Sequence, residues 1–152
     1  VAGCEAKGRE DQATVHGVAQ GFRVAEATQI AAVGLQLSLR GPDAFSLAPL
    51  SVTIRADAEG KPAGEALATA TIAPDGLSAE PGYRWAYARL DHRLALQPGT
   101  AYWLHVADPH GATSSYMWRL AKGGGYDGGQ AWSSKYDYGA HDWAFAIFAE
   151  GK

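Results

Sequence analysis

The stretch Val33-Gly34-Leu35-Gln36-Leu37-Ser38-Leu39 carries an aliphatic side chain at every second position. Because successive side chains of a β-strand point to opposite faces, this alternation predicts a strand with one face in a hydrophobic core. Further segments repeat the pattern, and each is expected to point the following residues into that core: Leu50, Val52 and Ile54; Tyr83, Trp85 and Tyr87; Tyr102, Leu104 and Val106; Tyr116, Trp118 and Leu120; Trp143, Phe145 and Ile147.

Turn-forming sequences separate these segments, among them Gly41-Pro42-Asp43 and Pro74-Asp75-Gly76. The Ala-rich segment 65–73 could pass for a helix, but Thr69 and Thr71 are β-branched residues that favour a strand. The chain is therefore predicted to be all-β, a two-sheet antiparallel β-sandwich of jelly-roll type with about eight or nine strands.

Two regions differ in composition. Residues 1–17 are polar and show no apolar period, which predicts an N-terminal arm or linker. Residues 18–152 are expected to form the sandwich module, a length that suits one domain. The opening Val1-Ala2-Gly3-Cys4 resembles the lipobox of bacterial lipoproteins, in which the cysteine is acylated.

Charge and hydropathy exclude several functions. The chain has 13 Lys and Arg against 16 Asp and Glu, a net charge of −3, without a basic run. Binding to nucleic acid needs such a run to neutralise phosphates, so it is not expected. Gly, Pro or charged residues interrupt every apolar run within a few positions, so we expect no transmembrane segment. A monomer is expected.

The connection 122–141 is the candidate binding site. It is Gly-rich, and loops longer than about 12–15 residues are usually functional or disordered. Four aromatic residues argue against disorder, namely Tyr126, Trp132, Tyr136 and Tyr138. Planar polar residues accompany them, namely Asp127, Asp137 and His141. The alternative is that the loop buries its own rings as a miniature core.

Trp103 is a further candidate with two interpretations. It is out of phase with Tyr102, Leu104 and Val106, so it is expected to point to the opposite face of its strand. There it is either covered by a loop or exposed as a binding platform.

Calcium is the one cofactor that we weigh, because sugar-binding sandwiches often hold a structural ion through Asp carboxylates and loop carbonyls. Asp142 and Asp57 are the candidate ligands, although the sequence has no Asp-x-Asp-x-Asp-Gly loop. An ordinary Asx turn is the alternative for Asp57.

No catalytic residue is assigned. Ser133-Ser134 lacks the Gly-x-Ser-x-Gly elbow, and the five histidines form no i, i+4 pair. A glycoside hydrolase needs two carboxylates about 5–10 Å apart, which the sequence does not place. We therefore expect no enzyme.

Several segments carry a family resemblance: Asp57-Ala-Glu-Gly-Lys-Pro-Ala-Gly64, Leu96-Gln-Pro-Gly-Thr-Ala-Tyr-Trp103, Tyr126-Asp-Gly-Gly129 and Asp142-Trp-Ala-Phe145. In this order they resemble the choice-of-anchor R type of bacterial extracellular domain, over about residues 20–148. The resemblance implies a β-sandwich at the cell surface or outside the cell, covalently linked to catalytic or surface domains of a larger protein.

These observations lead to a functional hypothesis. A pyranose has a flat face of C–H groups that lies on an aromatic ring, and hydroxyls that need planar polar partners. The predicted function is a non-catalytic carbohydrate-binding module that holds a polysaccharide or oligosaccharide through the loop aromatics. The alternative is a structural spacer domain that packs against a neighbouring domain and binds no sugar.

Overall fold

The computed structural model describes residues 3–4, 10–14, 18–39, 49–73, 84–107, 116–121, 129, 131–133 and 142–149. These ranges form β1 (Gly3–Cys4), β2 (Glu10–Thr14), β3 (Val18–Phe22), β4 (Thr28–Leu39), β5 (Leu50–Ala58), β6 (Lys61–Ile72), β7 (Arg84–Leu96), β8 (Tyr102–Ala107), β9 (Tyr116–Ala121), β10 (Ala131–Ser133), β11 (Asp142–Trp143) and β12 (Phe145–Ala149). Strands β1, β10 and β11 have two or three residues, and the other nine have five or more.

The strands form two antiparallel sheets. In the five-stranded sheet the order is β10-β3-β8-β5-β6. In the seven-stranded sheet the order is β1-β12-β4-β9-β11, with β2 beside β9 and β7 beside β4. The prediction of an all-β, two-sheet antiparallel sandwich is confirmed. Among the described ranges, no helix reaches the length and apolarity that crossing a bilayer demands.

On β4 and β5 the inner face carries the residues that the alternation predicted. On β4, Val33, Leu35 and Leu37 are fully buried, and Leu50, Val52 and Ile54 are buried to the same extent on β5. Burial of each such side chain contributes about 1.5–3 kcal/mol. Alternation in these two strands therefore accounts for much of the core.

Two tryptophans stack against each other in the core. Trp118 and Trp143 are fully buried and stack with ring centroids 5.1 Å apart. Trp118 Nε1–H donates to the carbonyl of Ala144, at 2.7 Å. Both tryptophans are core residues, as their phase in the sequence predicted.

Gln20 joins the two sheets. It lies on β3 with its side chain fully buried, and its Oε1 accepts the backbone N–H of Trp143 on β11 at 2.7 Å. Its Nε2 donates to the carbonyl of Gly21, at 3.0 Å. A buried amide without such partners would cost about 1–3 kcal/mol, so these bonds make a buried glutamine tolerable here.

The segment 1–17, expected to be an arm or linker, supplies strands β1 and β2 to the seven-stranded sheet. Gly3 lies opposite Ala146 on β12, and Glu10 lies opposite Ala121 on β9. Ladder hydrogen bonds come from the backbone, so a polar strand can join a sheet without apolar alternation. The sandwich thus includes strands that precede Val18, the expected boundary.

Candidate functional site

Most of the predicted loop site lies outside the residues that the structure describes, namely Tyr126, Asp127, Tyr136, Asp137, Tyr138 and His141. Trp132 is described: it lies on β10, opposite Ala19 of β3, and is half-buried. Just before it, Gly129 passes so close to Gly21 that a Cβ atom at position 129 would collide with the Gly21 carbonyl. Glycine is therefore required where the chain enters β10.

Trp103 is a covered residue, and the exposed-platform interpretation is corrected. It points away from the core, as its phase predicted, yet only 5% of its surface is exposed. Its Nε1–H donates to Oδ1 of Asp57, at 2.8 Å. A buried indole usually needs a partner for its N–H, and Asp57 meets that need. Trp103 therefore offers no free ring face to a ligand.

Asp57 has a structural role in the turn between β5 and β6. Oδ1 accepts the indole N–H of Trp103, and Oδ2 accepts the backbone N–H of Gly60, three residues on, at 3.3 Å. This bond holds the turn in the manner of the Asx turn considered above, but it reaches one residue further along the chain. Glu59 and Gly60 adopt positive φ angles of 56° and 82°. In the described ranges, no group of three or more His, Cys, Asp or Glu side chains is placed to hold a metal ion. The side chain of Asp142 is outside the described part.

His105 lies on the outer face of the five-stranded sheet, in register between Ala19 and Thr53. Burial, and secondarily the positive charge of Arg55, lowers the pKa of His105 to about 4. Arg55 is itself held, because its guanidinium donates to Thr53 Oγ1 and to the carbonyl of Ala63. The imidazole is therefore neutral near pH 7.

An aromatic patch lies on the outer face of the seven-stranded sheet and consists of Trp85 and Tyr87 on β7 and Phe148 on β12. Tyr87 is 60% exposed and is the one large apolar side chain within the described ranges that is exposed to this degree. Trp85 and Phe148 are half-buried. This corrects the expectation that Trp85 and Tyr87 belong to the core.

The reason lies in the small residues that alternate with these rings. Ala88 is buried, and Ala86 packs against the core, so β7 presents alanines inward. In the register with β4, Ala86 lies opposite Leu35 and Ala88 lies opposite Val33, so each inward alanine has a fully buried aliphatic neighbour. Every residue from 85 to 88 is apolar, so the sequence there does not show which alternate set points inward.

The patch has a defined geometry. Ring centroids of Trp85 and Tyr87 are 6.1 Å apart with the planes at 12°, and those of Tyr87 and Phe148 are 5.5 Å apart with the planes at 64°. Both separations are in the range of favourable aromatic pairs. Beneath them, Gly34 of β4 lies opposite Tyr87 in the register. Its missing side chain lets the Tyr87 ring lie against the strand.

Polar groups border the rings on the same face. Gln36 lies opposite Trp85, and its Oε1 accepts a hydrogen bond from Arg119 Nη1 at 3.2 Å. Arg89, exposed, lies two residues from Tyr87 and opposite Ala32. An amide and guanidinium groups are planar hydrogen-bonding partners. The sequence analysis did not predict this site. The signal in the sequence is the alternation of Trp85 and Tyr87 with two alanines on β7, together with Gly34 on the neighbouring strand.

Comparison with known proteins gives no further identification. No protein-family model, no curated protein and no solved structure matches the chain. The function is therefore argued from the geometry of the aromatic patch.

Proposed function

We propose that the protein is a non-catalytic carbohydrate-binding module whose ligand stacks on the aromatic patch. The observation that carries this proposal is Tyr87, which is 60% exposed between two half-buried rings. Exposing a large ring has no benefit for folding, whereas a pyranose offers a C–H face of matching shape. The bordering Gln36 and Arg89 would then bond to hydroxyls.

Rigidity supports binding at this place. The rings of Trp85 and Tyr87 are fixed on β7, which pairs with β4 along residues 28–37, and Phe148 is fixed on β12. A site on strands keeps its geometry without a ligand, so little conformational entropy is lost on binding. For this reason we place the proposed site on the sheet rather than in the 122–141 loop.

The size of the patch favours a small ligand over the spacer alternative. A stable protein interface buries about 800 Å² on each partner. An aromatic side chain offers about 150–250 Å² when fully exposed, and two of the three rings here are half-buried. The aromatic patch is thus smaller than a domain interface requires. In a larger secreted or surface protein, binding here would hold linked domains near a polysaccharide.

Affinity gel electrophoresis on a panel of polysaccharides tests the proposal, with Tyr87→Ala and Trp132→Ala compared. We expect at least one polymer to retain the wild-type protein. Retention should be lost in Tyr87→Ala and kept in Trp132→Ala, because Tyr87 belongs to the aromatic patch and Trp132 does not. Thermal unfolding of both variants checks that each remains folded. Loss in Trp132→Ala alone would move the site to the β10 side of the molecule, and absence of retention on every polymer would favour the spacer.

A further inference from the structure

The strand that bears the patch is basic. Arg84, Arg89 and Arg93 lie on β7 with His92, while Asp91 is its one acidic residue. The whole chain, by contrast, has a net charge of −3. A cationic strand in an acidic protein creates a local positive field at the seven-stranded sheet.

The acidic residue of β7 is occupied by other partners. Asp91 Oδ1 accepts the backbone N–H of Thr69 on β6 at 2.9 Å and lies 3.0 Å from Nδ1 of His92. The Thr69 hydrogen bond is the main cause that lowers the pKa of the Asp91 carboxyl. Asp91 thus faces the neighbouring sheet edge.

A hollow opens where β4 and β7 lose their regular pairing. Ile30 lies opposite Leu94 and Ala32 lies opposite Arg89, so the ladder is interrupted around Ala31. The hollow has a volume of about 170 Å³, and its lining residues are Ala31, Arg89, Leu90, His92 and Arg93. Since a water molecule takes up about 30 Å³ in the liquid, a carboxylate or sulfate group fits with some of its hydration.

Arg89 connects this hollow to the aromatic patch. It lines the hollow and lies on the same face of β7 as Tyr87, two residues away, which corresponds to about 7 Å along a strand. Across the sheet, Arg89 and Phe148 lie on either side of Ala32. A sugar ring on Tyr87 therefore has a cationic hollow beside it, within the length of one substituent or one neighbouring sugar unit.

We infer that the ligand is an acidic glycan, whose ring stacks on Tyr87 while its anionic group enters the hollow between Arg89 and Arg93. This inference rests on the proposed function. Guanidinium groups bind carboxylate and sulfate oxygens through paired, charge-assisted hydrogen bonds, which gives both affinity and orientation. Uronic acids and sulfate esters share this chemistry.

Matched polymers test the inference by affinity gel electrophoresis. Polygalacturonate is compared with its methyl-esterified form, and dextran sulfate with dextran, so that only the charge differs. The variants are Arg89→Gln with Arg93→Gln, Tyr87→Ala and, as a charge control on the other sheet, the exposed Lys61→Gln. We expect preference for an acidic polymer, reduced about tenfold by the arginine changes. Tyr87→Ala should weaken binding of both forms, and Lys61→Gln should change neither.

The outcomes separate the two proposals. Retention on polygalacturonate supports a carboxylate ligand, and retention on dextran sulfate supports a sulfate ester. Equal binding of charged and neutral forms, still lost in Tyr87→Ala, would overturn the acidic-glycan inference and keep the proposed function. Binding that follows only the arginines and ignores Tyr87, or no binding at all, would overturn both.

Discussion

The Tyr87 ring lies across the backbone of Gly34 on the adjacent strand. A Cβ atom added to Gly34 would lie 2.8 Å from Cδ1 and 2.9 Å from Cε1 of Tyr87, closer than such atoms approach in proteins. The glycine is therefore what allows the ring to rest on the sheet, and the position of the exposed ring depends on a residue that carries no side chain itself.

Gly34→Ala should displace the Tyr87 ring and weaken glycan binding. An aromatic contact of this kind contributes about 0.5–1.5 kcal/mol, so we expect affinity to fall about two- to tenfold. Gly64→Ala is the control, because a Cβ there meets nothing within 4 Å. Affinity gel electrophoresis measures the difference, and equal retention of both variants would contradict the proposed role of Gly34.

Gln20→Leu should destabilise the fold. The change leaves the Trp143 backbone N–H without the acceptor that it has at 2.7 Å. Burying such a donor unsatisfied costs about 1–3 kcal/mol. Urea unfolding measures the loss, and the exposed Gln29→Leu serves as the matched control. A variant as stable as the wild type would show that the two sheets do not depend on this bridge.

The hydrogen bond between Trp103 and Asp57 should appear as a coupling energy. We expect Trp103→Phe and Asp57→Ala to be coupled by about 1 kcal/mol in a double-mutant cycle, because either change alone removes the bond. Thermal or urea unfolding of the four proteins gives the value. Independent, additive effects would mean that the 2.8 Å contact adds nothing to stability.

Calcium should not stabilise the protein through Asp57. Both carboxylate oxygens already accept hydrogen bonds, at 2.8 and 3.3 Å, so an ion would have to replace them. We expect the melting temperatures of the wild type and Asp57→Ala to respond equally to calcium and to a chelator. A stabilisation lost only in Asp57→Ala would restore this residue as a ligand, and one lost only in Asp142→Asn would assign the ion to the other candidate.

His105 should make stability depend on pH. Its folded pKa is about 4, against an ordinary value of 6.5, so the unfolded chain takes up the proton first as the pH falls. The contribution of His105 to the free energy of unfolding is fully present above about pH 6.5. It is lost progressively towards pH 4, by up to about 3 kcal/mol. Urea unfolding should show that the free energy of unfolding decreases less between pH 7 and pH 4.5 in His105→Gln than in the wild type.

Sequence alone determined several of the strands and much of the core, although not the strands β1, β2 and β10. On β4, Val33, Leu35 and Leu37 alternate with small or polar residues, so only one face of the strand is apolar. The three side chains on that face are fully buried. The phase of Trp103 likewise predicted that it points away from the core. A period of two is a local property, and the chain encodes it directly.

Tertiary structure decided the aromatic patch. Along residues 85–88 of β7 both faces are apolar, with Trp85 and Tyr87 on one and Ala86 and Ala88 on the other, so hydrophobicity cannot choose between them. The choice depends on the register with β4 and on the volume that the core has left, both of which involve residues distant in the chain. For the same reason, the contact between Trp103 and Asp57, 46 residues apart, follows only from the pairing of β8 with β5.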